Sequence, residues 1–507
     1  MSMQTSPDTR TDVCLLLEGT WPYVRGGVSS WINQMILGMP EVTFSVVFIG
    51  GSRVASPTRQ YAIPDNVKHI EEVYLEDTWS LNNELPLNIK EPKSKDELTA
   101  FYSFLHSPDE PSYELAENIL NALVKGTISR DIVMRSQASW DTLCADYYQH
   151  CSDPSFIDFF WTLRTMQAPL LALAELAHSL PKARAVHSIS TGYAGFMGCL
   201  LRKLWGCDFI LSEHGIYTKE RKIDLAQAQW IAEYPDQAVR GGLNFNSSYM
   251  RALWIRFFER LSRIIYQSAN PIVALYEGNR QRQIRDGADA ERTHVIPNGI
   301  NLLDWQPVLS KRAFSQTPVI GLIGRIVPIK DIKTFIRSIR SIISQLPEVQ
   351  AWIVGPEEED PHYVSECRSL VNSLGLQEHI QFLGFQNIKE ILPKLDVMVL
   401  SSISEAQPLV ILEAWAAGTP VVATDVGACS ELINGITPED KALGAAGEVV
   451  AIADPLALAR SVCTILNDHN YWQTLQTNGL ARVNRFYGEA LMLDRYRALY
   501  HNATQRF

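Results

Sequence analysis

The sequence predicts an α/β protein of two doubly wound halves, each a parallel sheet covered by helices, with a helical insertion in the first half. Three observations predict it. Short apolar runs rich in Val and Ile recur along the whole chain, the stretches between them carry helical periodicity, and one long interval, about 76–182, interrupts the alternation with helical periodicity and many aromatics, including Phe156, Phe159, Phe160 and Trp161.

In the first half the predicted strands are Val13–Leu17, Phe44–Ile49, Val73–Leu75, Ala185–Ile189, Phe209–Leu211, Ile272–Leu275 and Val295–Pro297. In the second they are Val319–Ile323, Ala351–Val354, Ile380–Leu383, Val397–Leu400, Val421–Ala423 and Glu448–Ala451, evenly spaced with short turns as in a compact nucleotide-binding domain. Periodicity breaks after Asn298-Gly299, where Trp305, Gln306, Pro307 and Thr317-Pro318 intervene, so the first domain is read as 1–303 and the second as 304–485. The last segment, about 486–507, places Leu491, Leu493, Tyr496, Leu499 and Tyr500 at roughly helical spacing, the pattern of a packed helix.

Composition narrows the function. A formal charge of −11 argues against non-specific nucleic-acid binding, which needs a surplus of Lys and Arg. No apolar run approaches the ~18 residues of a membrane span, and the polar start MSMQTSPDTRTD lacks the apolar core of a signal peptide, so a cytoplasmic location is expected. Eight cysteines without a C-x-x-C pair, mostly beside apolar residues, fit reduced and buried thiols.

Open α/β sheets bind ligands beyond the carboxyl ends of their strands, and four segments lie there. The first is "GLIGRIVPIKD", in which Gly324, Arg325 and Lys330 follow a strand; an Arg fork and a Lys charge suit a diphosphate, although alone the same residues describe a solvated loop. In the second, "SISEAQPLVILEAWAAGTPVVATD", Pro408 is placed as the first helical residue and Gly418 as the left-handed exit. Pro408-Leu409-Val410 mark a helix N-terminus whose free N–H groups, on Leu409 and Val410, suit an anion. Glu413 sits in an otherwise apolar helix with no evident solvated face, so it needs a partner, a changed protonation state or a ligand that donates to it. Glu405, on the preceding loop, is the second carboxylate. The third, "LEGTWPYVRGGVSSW", holds Gly26 and Gly27 in a strand-to-helix turn, where backbone can approach a ligand and where a plain turn is an equally good reading. In the fourth, "LSEHGIYTKERKID", His214 ends a strand, and Arg221 and Lys222 form a local basic patch.

The first two segments, read together with "AWAAGTPVVATDVGACSELI", resemble the donor site of retaining glycosyltransferase family 4, whose GT-B fold has two Rossmann-like domains facing a cleft. The resemblance implies that Arg325 and Lys330 hold a diphosphate, Glu413 a ribose and Glu405 the transferred sugar. It places His214 beside that sugar, and the backbone at Gly384 and Phe385, within "IQFLGF", against the base. Where many members have Gly-Phe after the first glutamate this chain has Ala406-Gln407, which puts the polar Gln407 near the expected sugar and phosphate. "EGTWPYVRGGVSSW" and "SEHGIYTKERK" are similar to the PelF-like branch, which serves Pel exopolysaccharide synthesis.

That branch implies hexose transfer from a UDP-sugar to a glycan acceptor, with Gly26, Gly27, Arg221 and Lys222 on the acceptor side. It also implies docking to inner-membrane Pel synthesis proteins and a last helix that crosses back onto the first domain. No D-x-D motif occurs, so no metal is expected, and no cofactor beyond the UDP-sugar co-substrate. Two other readings stay open: a UDP-sugar epimerase of the same fold, and a non-catalytic UDP-sugar-binding subunit of a membrane polysaccharide synthase. A nicotinamide enzyme is disfavoured by the missing G-x-G-x-x-G fingerprint.

Overall fold

The computed structural model describes residues 10–53, 58–79, 90–107, 111–151, 155–228, 249–312 and 317–505. The chain divides into two compact units: Met1–Ala274 with Arg280–His294 and Tyr496–Phe507, and Leu275–Asn279 with Val295–Arg495.

The first unit is built on a seven-stranded sheet of order β3-β2-β1-β4-β5-β6-β7. Its strands are β1 Thr11–Glu18, β2 Phe44–Gly50, β3 Val67–Tyr74, β4 Ala183–Ser188, β5 Asp208–Glu213, β6 Ile272–Ala274 and β7 Thr293–Val295. Pairing is parallel from β3 through β6. The central strands are buried on both faces, which is why β1, β2 and β5 read as continuous apolar runs. β3, at the edge, is half-buried along most of its length, and its mixed sequence VKHIEEVY hid its first six residues from the apolar-run criterion. Between β3 and β4 the described residues form the helices Lys95–His106, Tyr113–Lys125, Arg130–Arg135, Gln137–His150 and Phe156–Ala177. All five start at a serine whose side chain accepts an amide hydrogen of the first turn: Ser94, Ser112, Ser129, Ser136 and Ser155. Tyr496 and Tyr500 of the last helix join this unit, in a buried network where His187 Nδ1 meets Tyr500 Oη at 2.8 Å and Ser212 Oγ meets Tyr496 Oη at 3.0 Å.

The second unit is a six-stranded parallel sheet of order β10-β9-β8-β11-β12-β13. The strands are β8 Val319–Ile323, β9 Gln350–Val354, β10 Ile380–Gly384, β11 Val397–Leu400, β12 Val421–Thr424 and β13 Gly447–Val450. Alternate side chains enter separate cores on the two faces: Ile320 and Leu322 pack with Phe335 and Ile339, whereas Val319 and Ile323 pack with Leu412 and Trp415. The sequence reverses its winding direction between β8 and β11, so the loops after those two strands meet at a topological switch point, where this class of sheet places its ligands.

Candidate functional site

Gly324 leaves β8, its amide donating to Val354 O at 2.9 Å. A Cβ at Gly355 would fall 1.9 Å from Gly324 O, so the backbones after β8 and β9 approach so closely that a side chain there is excluded. Lys330 closes a short turn, and its aliphatic stem lies over Gly324, whose missing side chain leaves Cε 3.7 Å from the position a Cβ would take. Its Nζ reaches Glu405 Oε1 at 2.5 Å, and Ser402 Oγ donates to the same oxygen at 2.6 Å. Among the described residues nothing donates to Oε2 of Glu405. The Lys330 turn is pinned to the loop after β11 by Ser401 Oγ, which donates to Lys330 O at 2.9 Å, and by Ile403 N, which donates to Ile329 O at 2.8 Å. Arg325 is half exposed and meets Glu359 Oε1 at 2.5 Å. Glu358 and Glu359 themselves lie on an exposed loop leading to the helix Pro361–Ser373.

The second glutamate is in a different state. Helix formation starts one residue later than expected, at Leu409, because Pro408 has ψ 110° and caps the helix from outside; the helix is Leu409–Ala416, and Gly418 leaves it at φ +73° as expected. Ile411, Leu412, Ala414, Trp415 and Ala416 are buried, while Leu409, Val410 and Glu413 keep partial exposure. Glu413 lies one turn beyond both Leu409 and Val410, so it does have a face of its own, a narrow stripe that also carries the first free amides of the helix. No described residue donates to the Glu413 carboxylate. Burial raises it from 4.5 to about 7, with Lys389 acting weakly in the opposite direction.

The loop between the glutamates rests on Gly427, at φ +55°, where a Cβ would lie 2.3 Å from Glu405 O and 2.4 Å from Ala406 O. Gln407 turns away from the expected sugar position: it is buried, and its Oε1 accepts from Asn298 N at 2.7 Å. Gly384 takes φ +64°, letting the chain leave β10 with its carbonyl accepting from Gly355 N at 2.9 Å, and Phe385 projects with 79 % of its surface exposed. The second unit thus gathers Gly324, Arg325, Lys330, Glu405, Pro408, Leu409, Val410 and Glu413 about the β8/β11 switch point, with Gly384 and Phe385 at the end of β10. Glu359, Ser402, Gly355 and Gly427 were missed; each matters through a tertiary contact that no local motif announces.

In the first unit, Gly26 is extended and Gly27 opens the helix Gly27–Gly38, with open space about both. Trp31 of that helix packs edge-on against His214, ring centroids 4.5 Å apart. His214 follows β5, is buried, has no partner at Nε2 and is pushed by burial down to about 4, so it is neutral near pH 7. Its neighbour Glu213 is an internal fastener, accepting from Tyr266 Oη at 2.7 Å, Gln283 Nε2 at 3.0 Å and Tyr217 N at 3.0 Å. The basic patch read at Arg221 and Lys222 is compensated in space: Arg221 lies 3.6 Å from Glu18 and 3.4 Å from Asp224, and Lys222 pairs with Glu259 at 2.5 Å. Arg221 and Glu18 line a cleft of about 580 Å³ at the carboxyl ends of β1, β2 and β3, with Asp224, Tyr193 and Phe258. Glu18, which accepts from Tyr217 Oη at 2.8 Å, was not singled out by sequence because a strand-end glutamate has no motif.

The two sheets are those of the GT-B fold. Residues 11–291, more than half of the chain, match the family described as Domain of unknown function (DUF3492), and the chain belongs to that family. Residues 317–468, which hold the glutamate pair, match Glycosyl transferases group 1. Alpha-maltose-1-phosphate synthase of Mycolicibacterium smegmatis is 26% identical over 291 residues, 54% of this chain and 68% of that protein. Lipopolysaccharide core biosynthesis mannosyltransferase LpsB of Rhizobium meliloti is 32% identical over 201 residues, 38% of this chain and 55% of that protein, so the chain spans little more than half of this relative. The crystal structure of Anabaena Alr3699/HepE in complex with UDP and glucose superimposes with a TM-score of 0.56 at 15% identity, covering 97% of this chain and 99% of that one, which shows the shared fold. Among the described residues no helix is long and apolar enough to cross a membrane, and no group of three or more His, Cys, Asp or Glu is placed to hold a metal ion.

Proposed function

We propose that the protein is a retaining glycosyltransferase that moves a hexose from a UDP-sugar onto a glycan acceptor, working without a metal, in the cytoplasm, in Pel-type exopolysaccharide synthesis and docked to inner-membrane proteins of that machinery. The observation that carries the donor reading is Glu413: a carboxylate held largely out of water, without a donor, on the same stripe as the free amides of Leu409 and Val410. A nucleoside diphosphate supplies what that stripe lacks, two ribose hydroxyls for the carboxylate and phosphate oxygens for the amides. The UDP and glucose in the HepE complex are consistent with this choice of nucleotide.

As the glycosidic bond breaks, negative charge grows on the leaving diphosphate. In this reading Arg325, Lys330 and the helix amides stabilise that charge more in the transition state than in the ground state, which lowers the barrier and does the work a metal does elsewhere. Glu405 already shares Oε1 with Lys330 and Ser402, which suits a carboxylate that holds sugar hydroxyls through Oε2 better than a free nucleophile. The acceptor hydroxyl then attacks from the face the diphosphate leaves, its proton passing to a departing phosphate oxygen. In the first unit the neutral His214 and the Glu18–Arg221 cleft offer donors, acceptors and aromatic walls for a glycan.

Calorimetric titration with UDP, GDP and ADP in EDTA, repeated on Glu413→Ala, tests the reading. Selective UDP binding that weakens sharply in the variant supports it, and UDP-sugar turnover in EDTA that requires an added glycan separates the transferase from an epimerase. Binding indifferent to Glu413 would sink it.

A further inference from the structure

A second, unrelated set of cations lies on the flank of the first unit. The helix Tyr249–Ser268 places Arg256, Arg260 and Arg263 on one face at four- and three-residue spacing, and the helix Glu277–Arg285 turns Arg282 and Arg285 toward the same pocket of about 250 Å³. Five guanidinium groups meet two carboxylates, Glu259 and Asp286, among the residues lining it. Those carboxylates have other cations: Glu259 pairs with Lys222 at 2.5 Å and Asp286 with Arg282 at 2.8 Å. Stacking like charges along two helix faces costs stability unless an anion offsets it, and the protein as a whole carries −11, so general basicity does not explain the pocket.

Unfilled donors point the same way. Thr218, 4 % exposed, lines the pocket with an Oγ1 that has no hydrogen-bond partner. Arg256 Nε is likewise buried without an acceptor, and Arg285 has no acceptor among the described residues. Thr218 Oγ1, Arg256 Nε and Arg285 leave donors without acceptors around one small pocket, even with the Arg256 guanidinium lying over the Tyr249 ring 5.7 Å from its centroid, and together they form the complement of a tetrahedral oxyanion. The volume is below the ~300 Å³ at which pockets for drug-sized ligands begin, which limits the guest to a small molecule.

We propose that this pocket is a phosphate-binding site for a small phosphate-bearing metabolite, distinct from the donor residues of the second unit. The phosphate forks between Arg256 and Arg285 and accepts from Thr218 Oγ1.

The test is calorimetric titration of the full chain with inorganic phosphate and with glucose 6-phosphate at low ionic strength. It uses an Arg325→Ala/Lys330→Ala background, so that the other cation pair does not contribute. Binding is expected for both probes or for glucose 6-phosphate alone, weakened by added salt, by at least about tenfold in Arg256→Ala, and comparably in Arg285→Ala. Tighter binding of glucose 6-phosphate assigns the site to a sugar phosphate; equal binding assigns it to the phosphate group itself. Arg285 is exposed, so Arg285→Ala keeps the test decisive if Arg256→Ala fails to fold. Absence of binding by either probe, or affinities unchanged in Arg285→Ala and Thr218→Val, overturns the proposal.

Discussion

Replacing Glu413 by glutamine separates what the residue costs the fold from what it does for a ligand. In the unfolded chain the carboxyl ionises near 4.5; in the folded protein burial moves it to about 7. Between those values the folded state holds a proton that the unfolded state has lost, so stability falls as pH rises through the window, and the full cost, about 3 kcal/mol from the size of the displacement, is present above pH 7. Glutamine has nearly the same shape and does not titrate. The stability difference between Glu413→Gln and wild type should therefore shift in the variant's favour by up to about 3 kcal/mol between about pH 4.5 and about pH 8.

Urea unfolding at both pH values measures it, followed by hydrogen exchange of the helix Leu409–Ala416, because two units need not unfold together. Parallel pH profiles for the two proteins would refute the reasoning, since they would mean that Glu413 does not stay uncharged in the fold. Ligand binding should show the mirror image. Ribose hydroxyls that donate to the carboxylate favour its charged form, so UDP binding releases a proton near pH 7 and tightens as pH rises toward that value, by up to about tenfold per pH unit. In Glu413→Gln this component disappears and UDP binds more weakly throughout.

Three further outcomes follow from the geometry. Arg325→Ala and Lys330→Ala should each lower kcat with a UDP-sugar by about 10²–10³-fold with the fold intact; near-normal turnover in both would defeat the charge-stabilising role. Gly427→Ala puts a methyl group 2.3 Å from Glu405 O at a φ of +55°, so it should displace the Glu405 loop and cost UDP-sugar turnover far more than secondary structure seen by circular dichroism, and full activity would show that the loop does not need this support. Arg482→Met leaves Asp440 buried without the cation now 2.6 Å away and strips donors from Ile433 O and Gly444 O, so a loss of about 3–5 kcal/mol is expected in thermal unfolding; a negligible change in melting temperature would contradict that.

Much of this was legible because buried parallel strands announce themselves. VIGLI and VMVL are apolar without alternation since both faces of β8 and β11 are covered, and the residues just beyond them are where such sheets hold ligands. Lys330, Glu405 and Glu413 could be found that way. Direction in space could not be read. Gln407 occupies a motif position, yet its side chain fastens Asn298, and Arg221 and Lys222, adjacent in sequence, are claimed by carboxylates from three different elements. Local sequence indicates which groups arrive at a strand end, while tertiary packing decides which of their hydrogen bonds are already taken.

That distinction also separates the two glutamates. Both follow from one stretch of chain, but Glu405 has a cation and a hydroxyl on one oxygen and retains the other, whereas Glu413 has neither and sits at the edge of its charged form near neutral pH. A carboxylate held near pH 7 by burial changes protonation when a ligand's hydroxyls reach it, so donor binding should report itself as proton release from Glu413. If the released proton persists in Glu413→Gln and vanishes instead in Glu405→Gln, the assignment of ribose to Glu413 and sugar to Glu405 is reversed.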